Sequence, residues 1–101
     1  MTKKLKLEVT ADDIAKGFKK DSAFCPIARA VKREFPTWQE VEVSDDGIKV
    51  LDDMNTNWLT GKEKSIDFFI RAFDSGHQVY PFTVEITFEE EVREPQDWDY
   101  D

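Results

Sequence analysis

Cys25 is the single cysteine of the chain, and it stands directly before Pro26, a residue that favours the first position of a helix. Backbone N–H groups at a helix start can lower the pKa of a thiol and so activate it as a nucleophile. Such a thiol needs a base, and the sequence leaves open whether the only histidine, His77, approaches it. The apolar neighbours Phe24 and Ile27 favour burial, which raises a thiol pKa. We therefore interpret Cys25 as a buried packing residue and predict no catalytic residue.

Metal and cofactor binding have little support in the sequence. One cysteine and one histidine supply at most half of a zinc site. Asp45-Asp46 and Asp52-Asp53 lack the ligand spacing and the closing glutamate of an EF-hand loop. The four glycines are scattered and form no phosphate-binding motif. We predict no metal site and no cofactor, and we interpret these acids as turn residues in contact with solvent.

The net charge of −8 is unevenly distributed along the 101 residues. Residues 1–36 carry a net charge of +4, whereas residues 37–88 and 89–101 carry −6 each. Acidic surfaces are repelled by nucleic-acid phosphates, so we expect a basic protein as partner and no direct nucleic-acid contact. A basic patch near Phe18 is the opposing possibility, but lysines also protect solvated sheet edges. The lysines of that patch would be Lys3, Lys4, Lys6, Lys16, Lys19 and Lys20.

Two groups of acids with interspersed aromatic residues are the candidates for partner binding, because bulky rings often carry binding energy at interfaces. The first group surrounds a predicted hairpin, and the second belongs to the C-terminal tail. The alternative for the tail is a purely solubilising role. The candidate residues are Trp38, Glu40, Glu42, Asp45, Asp46, Asp52, Asp53, Trp58, Glu89, Glu90, Glu91, Glu94, Asp97, Trp98, Asp99 and Tyr100.

Hydrophobic periodicity predicts an α+β domain with the element order β-α-α-β-β-α-β. Strands are indicated by alternation over 4–9, 40–43, 48–51 and 80–88, and helices by capping signals at Thr10, Pro26 and Thr60. Residues 52–59 are interpreted as a loop with at most a brief strand. We expect two layers, in which three helices cover about four mainly antiparallel strands. The domain is expected to span residues 1–88, followed by an acidic, flexible tail over 89–101.

Two segments together resemble a group of small uncharacterised proteins from phages and bacteria. The first is Asp21-x-x-x-Cys25-Pro26-Ile27-Ala28-x-Ala30, which matches a Cys-Pro-(Ile/Val)-Ala helix start. The second is Phe69-Ile70-Arg71-Ala72-Phe73-Asp74-Ser75-Gly76, which matches a Phe-Ile-x-x-Phe-Asp-x-Gly helix end and is followed by Val79-x-Pro81-Phe82-x-Val84. The resemblance covers most of residues 5–88 and implies a compact intracellular accessory protein of phage type. It implies no activity, cofactor or site residue.

These observations favour a small, acidic, non-enzymatic binding protein that engages a basic, nucleic-acid-binding partner, for example as an inhibitor. One alternative is a small thiol- or metal-assisted enzyme that uses Cys25. Another is a structural or assembly module. The single cysteine and the absence of an apolar run of roughly 20 residues favour a cytoplasmic protein without membrane contact, in the host cytoplasm if it is phage-encoded. The oligomeric state and strand order stay open.

Overall fold

Five strands and three helices make up the part of the chain that the computed structural model describes, residues 2–44 and 46–91. In chain order they are β1 (Thr2–Val9), α1 (Ala11–Lys16), α2 (Pro26–Glu34), β2 (Trp38–Ser44), β3 (Gly47–Asp52), β4 (Asn57–Leu59), α3 (Lys64–Asp74) and β5 (Phe82–Glu90). The α+β class and the three predicted helices are confirmed. The sheet has five strands where about four were expected, because the brief strand allowed within residues 52–59 forms over Asn57–Leu59.

All five strands belong to one antiparallel sheet in the order β1-β5-β4-β3-β2. β1 and β5 pair along their length, with Val9 opposite Phe82 and Thr2 opposite Glu89. The short β4 pairs with β3 and with the last two residues of β5. β2 is therefore an edge strand of the sheet, and the predicted β2–β3 hairpin turns between Ser44 and Gly47.

The core lies between one face of the sheet and the helices. Alternate strand residues point into it, because successive side chains of a strand face opposite sides. The Phe35 ring, just after α2, lies 5.6 Å from Phe88 in an edge-to-face arrangement and 6.3 Å from Trp58. α3 buries Phe69 and Phe73 against the same core. The opposite face of the sheet carries mostly exposed residues.

Most of the predicted helix boundaries are confirmed. Thr10 and Asp13 form a reciprocal capping box at the start of α1, and Pro26 occupies the first turn of α2. α3 ends next to Gly76, which has a φ of +83°, and the Gly76 N–H bonds to the Phe73 carbonyl at 3.1 Å. That left-handed conformation suits glycine, which has no Cβ to clash with the backbone.

The predicted capping box at 60–63 is wrong. The Thr60 side-chain oxygen accepts the Ile48 N–H at 2.9 Å, so Thr60 links its loop to β3. Glu63 caps α3 instead, and its carboxylate accepts the Ser65 N–H at 3.2 Å. A long-range hydrogen bond to the sheet has replaced the local one that the sequence pattern predicts.

One buried ion pair fastens α1 to α2. Asp13 has no exposed surface, and its carboxylate accepts two bonds from the Arg33 guanidinium, at 2.9 and 2.8 Å. Arg33 also donates to the Glu8 carbonyl, which connects both helices to β1. Burial alone would raise the Asp13 pKa, but the Arg33 bonds and the Thr10 N–H outweigh it and lower that pKa. Asp13 is thus held as a charged residue inside the fold.

Candidate functional site

A surface cleft of about 440 Å³ runs across the β2 edge of the sheet, and we call it the β2 cleft. It is the place where exposed candidate residues from the hairpin meet. β2 contributes one wall, the loop before α2 and α2 itself contribute another, and β3 and β4 form the far end. Its lining residues are Ser22, Ala23, Phe24, Lys32, Trp38, Gln39, Glu40, Val41, Glu42, Lys49, Leu51 and Asn57.

In the β2 cleft, one ammonium group contacts two exposed aromatic rings. Trp38 is 36% exposed and Phe24 is 53% exposed. The Lys32 Nζ atom lies 4.1 Å from the Phe24 ring centroid and 5.0 Å from that of Trp38, within cation–π range. The same Nζ donates to the Ala23 carbonyl at 2.6 Å, which holds it between the rings. The cleft therefore already accommodates a cation on its aromatic surface.

Phe24 and Lys32 were not among the candidate residues. We interpreted Phe24 as an apolar neighbour that favours burial of Cys25, yet its ring is more than half exposed. Ile27, by contrast, is fully buried as expected. Lys32 belongs to the last turn of α2, where a cation complements the helix dipole. Its contact with the two rings depends on how α2 packs beside the β2 edge of the sheet. The local sequence pattern does not show that packing.

Glu40 and Glu42 are exposed on β2, and both line the β2 cleft with Trp38. They lie on the outer face because the buried Val41 between them points inward. The register places Glu42 opposite Lys49 of β3. The cleft thus holds two carboxylates and two ammonium groups, so it is amphoteric and not purely acidic.

The other exposed acids of the candidate set are spread around the hairpin and the end of β5. Asp46 is exposed in the hairpin turn, and Asp53 is exposed beside Thr37, whose carbonyl accepts the Asp53 N–H at 2.8 Å. Glu89 and Glu91 are exposed, whereas Glu90 is half-buried and pairs across to β4. β5 continues through Glu90, two residues beyond the expected domain boundary at Phe88.

Two candidate residues, Asp52 and Trp58, are part of the core and are not available to a partner. Trp58 is only 6% exposed, and its indole N–H donates to the Asp52 carboxylate at 2.9 Å. The same carboxylate accepts the N–H groups of Met54 and Thr56, each at 2.9 Å, which closes the turn between β3 and β4. The Trp58 bond, then the two backbone bonds, lower the Asp52 pKa. Their role is structural.

The remaining candidates lie outside the residues that the structure describes. They are Asp45, Glu94, Asp97, Trp98, Asp99 and Tyr100.

Cys25 caps α2 and lines a second cleft of about 630 Å³ between the α2 start and the α3 end. Its sulfur accepts the Ala28 N–H at 3.4 Å. Burial raises the Cys25 pKa, the nearby Asp74 and Asp21 carboxylates raise it further, and the helix N–H groups compensate only in part. The thiol therefore lacks the lowered pKa of an activated nucleophile, and among described residues His77 does not line this cleft.

The lysines of the possible basic patch point in several directions. Lys4 and Lys6 are exposed on the outer face of β1, while the Lys3 Nζ lies on the inner side, 4.8 Å from the Phe35 ring centroid. Lys16 forms an ion pair with Asp12 on α1. Lys3 therefore lies on the other side of the sheet from Lys4 and Lys6.

Comparison of the chain with protein-family models, with curated proteins and with solved structures gives no match. Within residues 2–44 and 46–91, no group of three or more histidine, cysteine or acidic side chains is arranged to hold a metal ion. No helix in these ranges has both the length and the apolar character needed to cross a membrane. The arguments about function below therefore rest on the β2 cleft and on the charges around it.

Proposed function

We propose that this protein is a non-enzymatic binding module whose β2 cleft receives a lysine- or arginine-bearing segment of a basic protein. The observation that carries the proposal is the pair of exposed rings, Phe24 and Trp38, that already hold the Lys32 ammonium. Cations bind the face of a tryptophan favourably, and exposed contacts of this kind contribute about 0.5–1 kcal/mol.

Carboxylates next to the rings give the cleft its second recognition element. Glu40 and Glu42 project from the same strand as Trp38, and both are exposed. A register shift between Trp38 and Glu40 interrupts the alternation of β2, yet all three residues line the β2 cleft, so an arginine on Trp38 would have the carboxylates at the same cleft. Lys49 opposes Glu42 and limits the charge attraction, so the proposed affinity depends on the rings as well as on the acids.

A titration with a hexa-arginine peptide tests this proposal, because the peptide is a defined probe of cation binding. We expect backbone amide shifts in the NMR spectrum to concentrate on residues 22–24 and 38–42. Trp38→Ala should weaken binding about 3- to 10-fold, because it removes a cation–π contact and its buried ring area. Binding should also weaken as salt is added, since exposed charges are screened.

A matched pair of charge variants separates the cleft from general acidity. Glu40→Gln with Glu42→Gln removes two charges in the cleft, and Glu8→Gln with Glu85→Gln removes two exposed charges on the β1–β5 half of the sheet. The cleft pair should weaken binding and the distant pair should change it little. Equal weakening by both pairs, or amide shifts spread evenly over the sheet, would show that peptide binding depends only on the net charge of the protein.

A narrower form of the same proposal is that the protein is a phage-type inhibitor of a basic, nucleic-acid-binding protein. It is supported by the resemblance of residues 21–28 and 69–76 to small phage and bacterial proteins and by the net charge of −8. A basic nucleic-acid-binding protein would present the lysine and arginine side chains that the β2 cleft takes.

A further inference from the structure

We propose that the β2 cleft binds its basic partner as an added β-strand, antiparallel to β2, with basic side chains at alternate positions. This inference rests on the proposed function and adds the conformation and the sequence pattern of the partner segment. β2 is an edge strand of the sheet, and an edge strand presents backbone N–H and C=O groups with which an extended peptide can pair.

The backbone groups of Val41 point away from β3 and toward the open edge. Two positions along β2, the Val43 N–H donates to the Ser22 carbonyl at 2.9 Å. Ile48, which lies opposite Val43 on β3, exchanges its N–H and C=O bonds with Thr60, at 2.9 Å each. Val43 and Ile48 therefore form a pair without mutual hydrogen bonds, and every second pair of an antiparallel ladder is of this kind. Val41 belongs to the next such pair.

The open stretch of the β2 edge is short and lies in the β2 cleft. Val41 lines the cleft, and in residues 2–44 and 46–91 no backbone group outside the sheet pairs with it. The bond from Val43 to Ser22 occupies the edge at one end of this stretch. The register shift between Trp38 and Glu40 ends the regular backbone at the other. About three residues of a partner, roughly 10 Å of extended chain, fit between these limits.

Side chains around the open stretch favour basic residues at alternate positions of the added strand. Glu40 and Glu42 flank Val41 and are exposed on the outer face, so the two partner residues opposite them would place lysine or arginine beside a carboxylate. The partner residue between them, opposite Val41, faces the core side, where Phe24 lines the cleft. An apolar side chain there would cover part of the Phe24 ring, which is 53% exposed. The predicted pattern is basic, apolar, basic.

The other edge strand of the sheet, β1, does not suit the same partner. Lys4 and Lys6 are exposed on its outer face and would repel basic side chains on a neighbouring strand. The Glu8 carbonyl is already bonded to Arg33. A basic strand should therefore select β2, and the amides of β1 serve as an internal reference.

Matched peptides added to the full-length protein test this strand addition by NMR titration. Ac-Gly-Arg-Val-Arg-Gly-NH2 has the predicted pattern, and Ac-Gly-Val-Arg-Arg-Gly-NH2 has the same composition with adjacent arginines. The first should bind about 2- to 5-fold more tightly, because both of its arginines face carboxylates. N-methylation of its valine removes the N–H that pairs with the Val41 carbonyl and should weaken binding about 3- to 10-fold. N-methylation of either arginine, whose N–H points away from β2, should change it little.

Hydrogen exchange at two amides of the protein gives a second readout. The Val41 amide should exchange more slowly with the first peptide bound, whereas that of Val43, already bonded to Ser22, should be unchanged. Equal affinity of the two peptides, no effect of valine N-methylation, or shifts centred on Lys4 and Lys6 would overturn the strand addition. If hexa-arginine still binds in the cleft, such results leave the proposed function standing. Absence of binding by every peptide would reject both.

Discussion

Replacement of Asp13 by asparagine removes the charge of the buried ion pair while the side chain keeps its shape. In the native protein the carboxylate has no exposed surface and receives two bonds from Arg33 and one from the Thr10 N–H. Breaking a buried pair by changing one partner costs about 3–5 kcal/mol. Arg33 is 44% exposed and can be hydrated, so we discount that range to about 2–3 kcal/mol.

Asp12→Asn is the matched control, because it makes the same chemical change one residue earlier. The Asp12 side chain is 61% exposed, and its contacts to Lys16 and Arg29 are 3.3 and 3.5 Å long. Exposed pairs of this kind contribute about 0–1 kcal/mol. Urea unfolding should therefore shift the midpoint of Asp13→Asn by about 1 M or more and leave that of Asp12→Asn nearly unchanged.

The loss of stability caused by Asp13→Asn should also depend on pH and become smaller in acid. The Asp13 pKa is lowered below its ordinary value of 3.8, so the unfolded chain takes up the proton first as the pH falls. The stabilisation is fully present above pH 3.8 and is lost as the pH falls through the folded pKa. The difference between native and variant should accordingly shrink in acid. Equal midpoints for the Asp12 and Asp13 variants at neutral pH would refute the argument.

Two further predictions concern the backbone and the thiol. Gly47→Ala should destabilise the fold by at least about 1–3 kcal/mol, because Gly47 has a φ of +145° and a Cβ there would lie 2.3 Å from the Thr60 carbonyl oxygen. Gly61→Ala, with no heavy atom within 4 Å of its Cβ, should be close to neutral in the same thermal unfolding assay, and equal losses would contradict this. Alkylation of Cys25 by iodoacetamide should keep rising with pH beyond the ordinary thiol pKa of 9.0, and a plateau near neutral pH would reveal an activated thiol.

Long elements with a clear period could be predicted from the sequence. The apolar spacing of Ile66, Phe69 and Phe73 predicts the buried face of α3, and alternation predicts β1 and β5. β4 could not be predicted with the same certainty, because it has three residues and one buried side chain, Trp58. Its strand conformation comes from pairing with the preceding β3 and with the end of β5, which follows only after α3.

Part of the candidate site could be predicted from alternation along one strand, whereas the rest depends on tertiary contacts. Alternation along β2 exposes Glu40 and Glu42 on one face, and the structure places both in the cleft with Trp38. Asp52 looked like a solvated turn acid, yet it is buried because it accepts three N–H groups. A turn acid and a nearby tryptophan therefore do not by themselves indicate a binding surface. Phe24 joins the cleft only through tertiary packing.

The hexa-arginine titration of the paired charge variants tests the central claim most directly. If the β2 cleft binds basic segments, Glu40→Gln with Glu42→Gln should weaken binding roughly 3- to 10-fold, as expected for two exposed charge contacts. Glu8→Gln with Glu85→Gln should leave the dissociation constant within about twofold of the native value at the same ionic strength, since these charges lie away from the cleft. Equal weakening by both pairs, or no measurable binding to the native protein, would contradict the claim.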